Sequence, residues 1–243
     1  MNRVTVPTLD DATVLLDCRW LGIGGAGRAT ELLLRGLQRS EPPGTWLLWG
    51  PALVRRFLWP GAEWRPSSTP PVRLWGQRDL IRVPACDVAI YMHQIRPLRP
   101  GRSVTLIHDT IPLRHGGSLP RRLLTRSYFR TVARLSTRIL TVSEHSRACI
   151  ERDLLVPPSR IRVVHYPIDD DMVVRVRALR ERLPQREVAV YVGRFAPHKN
   201  LGGLFAAFSR TRFRQLGGRL LLAGGSPSEA ADLRMFIEQH GLD

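Results

Sequence analysis

Residues 14–37 read VLLDCRWLGIGGAGRATELLLRGL, and this stretch decides the class of fold. Val14-Leu15-Leu16-Asp17 is an apolar run closed by one polar residue, the signature of a strand buried on both faces of a parallel sheet. Residues 29–37 carry apolar side chains at helical spacing. Between them, Gly22-Ile23-Gly24-Gly25-Ala26-Gly27 matches GxGxxG, a turn whose glycines let the backbone approach a phosphate at a helix N-terminus. Two features speak against NAD or FAD. Residues 17–21 separate the strand core from the first glycine, and the next strand, Trp46-Leu47-Leu48-Trp49, ends without an Asp or Glu for a ribose. Proximity to a phosphate or diphosphate remains, with a purely structural turn as the alternative.

The same alternation continues outward. Residues 88–91, 103–108 (SVTLIH), 138–142 and 161–164 read as strands, and residues 121–136 and 143–155 as helices. Repeated β-α units with apolar strands imply a parallel sheet covered by helices on both faces, so residues 1–166 form one α/β domain. From 167 to 186 the pattern breaks at Pro167 and Asp169-Asp170-Asp171, and a short Arg-rich helix follows, as expected of a linker. A second series occupies 187–243, with strands at 188–192 and 220–223 and helices at 201–208 and 228–240. Ser226 and Glu229 form a capping box for the last helix, with Pro227 at its first position. Two strands are fewer than a doubly wound domain uses.

The composition is that of a globular chain: 243 residues, 43% hydrophobic and 24% charged. It excludes collagen-like and wholly disordered classes. No apolar run reaches the roughly 20 residues of a membrane-spanning helix. The N-terminal residues lack the apolar core of a secretory signal. Three widely spaced cysteines, none in a CxxC pair, argue against a disulfide framework or a zinc site and for a reducing cytoplasm. The net charge is +16, and of the 37 basic residues only Lys199 is a lysine. That bias points to coding preference for much of the basicity, although a basic chain also suits an anionic membrane or nucleic acid. Residues 1–186 hold 30 basic and 16 acidic groups, so the excess belongs to the first part.

Four places offer chemistry. Arg194 and Lys199 lie five apart in GRFAPHKN, between a strand and a helix, where two cations converge on one anionic group; the alternative is two solvated loop cations. His108-Asp109 closes a parallel strand at the edge where open α/β sheets place their sites, where a His can hold a ligand hydroxyl or shuttle a proton and the adjacent carboxylate can orient it; the alternative is a satisfied loop residue. Asp169–Asp171 resembles an acidic metal motif but lies in the linker, and no His spacing suits a metal. Arg122, Arg126, Arg130, Arg134 and Arg138 recur every four residues, with Leu124, Tyr128, Leu135 and Ile139 on another face. This suits either an ordinary surface helix or one resting on an anionic membrane. Tyr128 is counted with the apolar face rather than as a stacking platform among the arginines, and nucleic acid is not an expected partner.

Together these segments resemble the family 4 glycosyltransferases, nucleotide-sugar-dependent enzymes of the GT-B fold. The resemblance rests on GIGGAGRATELLLRGL, IHDTIPLRH, ILTVSEHSRACIERDLLVPPSRIRVV, YVGRFAPHKNLGGLFAAF and LLLAGGSPSEAADLRMFIEQHGL, in order, across most of residues 12–243. It implies one complete Rossmann-like acceptor domain, followed by the start of a nucleotide-sugar-binding domain. It implies that Gly24 and Gly25 line the cleft near the donor diphosphate. By the same likeness Arg194 and Lys199 bind that diphosphate, His108 contacts the transferred sugar, and Gly224 and Gly225 face the donor. Asp109, Ser143 and Glu144 are expected on the acceptor or cleft side. The family implies hexosyl transfer with retention, no cofactor beyond the nucleotide-sugar substrate, no metal, and a glycan or lipid-linked acceptor. A cytoplasmic location follows, with peripheral contact through the 121–138 helix. The family's paired-glutamate motif has no counterpart before Asp243, so the expectation is a truncated chain, or one half of a two-chain enzyme, with little activity alone. The remaining alternatives are a non-catalytic nucleotide-binding remnant and a dinucleotide-dependent oxidoreductase.

Overall fold

A computed structural model describes residues 8, 10–67, 83–115, 117–166, 168, 170–182 and 188–239. The chain divides into two units, Met1–Asp169 and Asp170–Asp243.

The first unit runs β1 (Thr13–Asp17), α1 (Gly24–Ser40), β2 (Thr45–Gly50), a 3-10 segment (Ala52–Phe57), β3 (Ala62–Pro66), β4 (Val88–Tyr91) and β5 (Ser103–Leu106). It continues with α2 (Pro112–His115), α3 (Leu119–Leu135), β6 (Arg138–Thr141), α4 (Glu144–Leu154) and β7 (Ile161–Val163). Its strands form one seven-stranded sheet in the order β3-β2-β1-β4-β5-β6-β7, every pair parallel. The chain moves from β1 out to β3, then returns to the other side of β1 with β4. The strand order therefore reverses beside β1, and the crevice at such a point is where open α/β sheets bind ligands.

Alternate residues of each strand feed opposite layers. Val14, Leu16, Trp46 and Leu48 pack with Leu34 of α1 and with Val54 and Phe57. Leu15, Leu47, Trp49, Ala89 and Tyr91 pack on the opposite face. There, farther along the sheet, Ile107, Ile139 and Ile161 meet Phe129 and Ala133 of α3 and Ile150 and Leu154 of α4. Burial on both sides is why these strands read as continuous apolar runs. On the α1 face the sheet continues over β4–β7 as an apolar groove of about 1020 Å³ lined by Leu33, Met92, Leu106, Leu140 and Val164.

Several boundaries differ from the sequence expectation. Helix α1 begins at Gly24 rather than at 29. Residues 18–23 fold into two successive turns, with Leu21 N–H on Cys18 O and Ile23 N–H on Trp20 O, both at 2.9 Å, so the long spacer is compact. Gly27, in the first turn of α1, is obligatory where the helix backs onto those turns, because a Cβ there would lie 2.4 Å from Trp20 O. Strand β3 was not expected. Its sequence AEWRP alternates charged and apolar residues, with Glu63 and Arg65 exposed, as suits an edge strand. Helix α3 ends at Leu135, so Arg138, expected as the fifth arginine of a basic helix, instead opens β6. The buried side of α3 is Thr125, Phe129, Val132 and Ala133, whereas Leu124, expected on the apolar face, is exposed.

The second unit contains α5 (Asp170–Arg182), β8 (Val188–Val192), α6 (Leu201–Ser209), α7 (Arg212–Gln215), β9 (Arg219–Ala223) and α8 (Pro227–Gln239). Helix α5 is the Arg-rich helix of the expected linker; Pro167, Asp169 and residues 183–187 lie outside the described residues. Strands β8 and β9 pair in parallel. Leu201 and Phe205 of α6 are buried, while Val190, Val192 and Leu221 are exposed. The capping box forms as read: Ser226 N–H donates to Glu229 Oε2 at 2.9 Å and Glu229 N–H to Ser226 Oγ at 3.2 Å.

Candidate functional site

In the first unit the chemistry gathers where β1, β4, β5 and β7 end. Asp17 closes β1 and is fully buried. Its carboxylate grips Arg19 in a fork, Nε to Oδ1 and Nη2 to Oδ2, both at 2.8 Å. The Arg19 guanidinium lies 4.2 Å from the Trp49 ring centre. This pair fixes the turn that carries Trp20 and Gly22. Next comes the N-terminus of α1, with Gly24 and Gly25 exposed. A Cβ at either glycine would meet nothing within 4 Å, and Ile23 offers no side-chain cap. Open glycines and uncapped N–H groups at a helix start are the elements of an anion site.

Trp20 stacks on His93, just beyond β4, with ring centres 3.8 Å apart; His93 lies 5.6 Å from His108, which follows β5. His108 is engaged at both nitrogens: Nε2 with Met92 O at 3.2 Å and Nδ1 with the Tyr166 hydroxyl at 2.5 Å. Burial lowers the His108 pKa below its ordinary value, partly opposed by the Met92 carbonyl and Asp109. His93 is pushed down to about 3, first by burial and then by His108 and Arg19, and its Nδ1 accepts from Ile95 N–H at 3.0 Å. Both rings are therefore neutral at pH 7. Asp109 does not orient His108, contrary to expectation. Its Oδ1 accepts from Ile111 N–H at 2.9 Å in a local turn, and orientation comes from Met92 and Tyr166.

Beyond β6, Ser143 is the N-cap of α4, its Oγ accepting from Ser146 N–H at 3.1 Å. Glu144 is exposed and reaches Arg147 at 3.5 Å. The segment between β4 and β5 carries no helix. Buried Arg96 holds it instead, donating to Ser103 Oγ at 2.8 Å, Thr105 Oγ1 at 3.3 Å and Pro97 O at 3.0 Å. Tyr128 of α3 completes the clasp by donating to Arg96 O at 2.6 Å.

In the second unit, the loops after β8 and β9 are pressed together. Gly193 N–H donates to Ala223 O at 2.9 Å, and a Cβ on Gly224 would sit 2.3 Å from Gly193 O. A Cβ on Gly225 would fall 2.5 Å from the Phe195 ring, and both Gly224 and Gly225 have positive φ. These glycines are thus required for the approach of the two loops. Arg194 leaves that junction 77% exposed and bonds Glu229 Oε1 at 2.8 Å. Lys199 is exposed, ends a 3-10 turn and stands two residues before α6, whose N-cap, Asn200, gives no side-chain cap. A cation and uncapped helix N–H groups therefore share one spot.

The sequence singled out His108 but missed His93, Tyr166, Trp20 and the Asp17–Arg19 pair. All five residues lie within three positions of a strand's carboxyl end, the signal that was available. Among the described residues, no group of three or more His, Cys, Asp or Glu is placed to hold a metal, and no helix is long and apolar enough to cross a membrane.

Comparison with known proteins gives a consistent direction. No family model matches the chain. The GDP-mannose:cellobiosyl-diphosphopolyprenol alpha-mannosyltransferase of Komagataeibacter xylinus is 28% identical over 197 residues, covering 78% of this chain and 47% of the relative. The chain thus spans about half the length of that relative. The crystal structure of Anabaena HepE in complex with UDP-glucose superposes with a TM-score of 0.61 at 16% identity, over 96% of this chain and 67% of that one. A glycosyltransferase from Rickettsia africae superposes with a TM-score of 0.51 at 12% identity, over 96% and 66%. The chain has an α/β architecture of the GT-B type, and in sequence and fold it resembles the family 4 glycosyltransferases.

Proposed function

We propose that this chain supplies the acceptor-side domain and the beginning of the donor-side domain of a hexosyltransferase. The enzyme moves a mannose- or glucose-type sugar from a nucleoside diphosphate to a glycan or lipid-linked acceptor of the cell envelope, with retention of configuration and without a metal. The observation that carries this reading is the glycine-built junction of the second unit, from which Arg194 emerges to bond Glu229 Oε1, together with Lys199 in the turn just before α6. When the bond from sugar to diphosphate breaks, negative charge grows on the leaving phosphate. Fixed cations and helix N–H groups aimed at that charge stabilise the transition state more than the ground state. Within the first unit, Gly24 and Gly25 offer open N–H groups to a phosphate, His108 offers a contact to a sugar hydroxyl, and Ser143, Glu144 and Asp109 border the acceptor. Support for the donor class comes from the relatives, one named for GDP-mannose and one solved with UDP-glucose.

The test is titration of the chain with UDP-glucose and with GDP-mannose, followed calorimetrically. At least one binds, and Lys199→Ala weakens it about tenfold or more, as expected for a charge-assisted contact worth about 1.5–3 kcal/mol. Binding of NAD in place of either nucleotide sugar would overturn the reading. We further propose a cytoplasmic protein that touches an anionic membrane through the first half of α3, where a lipid-linked acceptor would be presented.

A further inference from the structure

The strand-end cluster carries an inference about Tyr166, whose second half rests on the donor-site reading above. Both nitrogens of His108 are engaged, but not equivalently. The Met92 carbonyl can only accept, so Nε2 bears the proton, and Nδ1 of the neutral ring is then a pure acceptor. The Tyr166 hydroxyl donates into that lone pair over 2.5 Å. Any substrate hydroxyl that reaches His108 meets the same lone pair, because Nε2 is committed to the main chain.

The two partners are held very differently. Met92 is 6% exposed and adjoins His93, which is stacked on Trp20. Tyr166 is 41% exposed and stands past the end of β7, at the far margin of the first unit. We propose that Tyr166 is a positioning residue for His108. Its hydroxyl steadies the imidazole with Nδ1 as the acceptor and occupies the place that a hydroxyl of the transferred sugar takes, so that Tyr166 and substrate compete for one lone pair.

The chemistry suits an exchange. Burial pushes the Tyr166 phenol up to about 12 and lowers His108, so at pH 7 donor and acceptor are both neutral. One O–H replaces another on the same nitrogen without moving a charge. The cost of displacing Tyr166 is that of one neutral hydrogen bond, so its removal should tighten substrate binding by about three- to tenfold.

Nitrogen-15 histidine resonances of the full chain, compared with those of Tyr166→Phe and assigned with His108→Asn, test the first half. The expected result is an Nε2–H tautomer in both chains, with the His108 Nδ1 resonance of Y166F moved toward that of an unbonded acceptor. An unchanged Nδ1 resonance would overturn the proposal. Titration of both chains with UDP-glucose and, separately, GDP-mannose tests the second half. Y166F should bind about three to ten times more tightly, and equal or weaker binding overturns the competition. Binding of neither nucleotide sugar by either chain overturns the donor-site reading and the competition with it. In that event the resonance alone still decides whether Tyr166 positions His108.

Discussion

His93 sits in an environment far from that of the free amino acid. It is wedged between Trp20 and His108, accepts the Ile95 amide at Nδ1, and has its pKa pushed down to about 3. Protonation would remove that acceptor and set a charge beside Arg19. In the unfolded chain the same imidazole takes up a proton near its ordinary pKa of about 6.5. Between those two values the unfolded state binds more protons than the folded one. Stability is therefore complete above about pH 6.5 and falls as the pH drops toward 3, by at most about 1.4 kcal/mol per pH unit from this group. Urea unfolding at pH 7, 6 and 5 should show the decline, and His93→Gln should flatten it; His108, shifted in the same direction, leaves a residual slope. Equal slopes in the two chains would refute the assignment. The fork between Asp17 and Arg19 bears on the same turn. A buried pair of this kind contributes modestly as a pair, but losing one partner strands a charge and costs about 3–5 kcal/mol.

At the scale of elements, the glycines in the first turn of α1 separate a structural requirement from a functional one. Gly27 has no room for a Cβ against Trp20 O, so Gly27→Ala should destabilise the first unit by about 1–3 kcal/mol, read in thermal or urea unfolding. Gly25 has open space and needs no positive φ, so Gly25→Ala should leave stability within about 0.5 kcal/mol. If its bare backbone approaches a diphosphate, the same substitution should weaken nucleotide-sugar binding; stable G25A with unaltered binding would leave the turn purely structural. The contrast also shows what was legible beforehand. The parallel strands were, because burial on two faces writes an uninterrupted apolar run such as Val14-Leu15-Leu16, and the α8 capping box was, because its two hydrogen bonds need only residues three apart. Strand β3 was not, since its edge position lets Glu63 and Arg65 alternate with Trp64. His108 was visible as a polar residue ending a strand. Tyr166 was not, because its partner is 58 residues away and only the assembled sheet brings the ends of β5 and β7 within reach of each other.

At the scale of the whole molecule the open question is the basic charge, which is concentrated in residues 1–186. Helix α3 shows how some of it is deployed. Arg122 is tied down, its Nη1 donating to Arg114 O at 3.2 Å, and the Nε atoms of Arg122 and Arg130 are buried. Arg121 is exposed, and around it in the first two turns stand Leu119 at 60%, Leu123 at 57% and Leu124 at 44% exposure; Arg134, also exposed, lies at the other end of the helix. Leucines open to water next to arginines match the chemistry of an anionic lipid surface, where apolar side chains enter the headgroup boundary and cations meet phosphates. A surface helix serving only the core underneath has no use for those three leucines, since Thr125, Phe129, Val132 and Ala133 already fill its buried side. The chain should therefore co-sediment with vesicles containing phosphatidylglycerol and not with purely zwitterionic ones, and the bound fraction should fall as salt shortens the screening length. Replacing Leu119, Leu123 and Leu124 together by Ser should lower the partition coefficient about tenfold or more, since even partial burial of one leucine is worth on the order of 1 kcal/mol. Neutralising Arg121 should reduce the salt dependence while leaving the leucine contribution. If the triple Ser variant sediments like the unaltered chain, binding is diffuse attraction by the net charge and α3 is not the docking element.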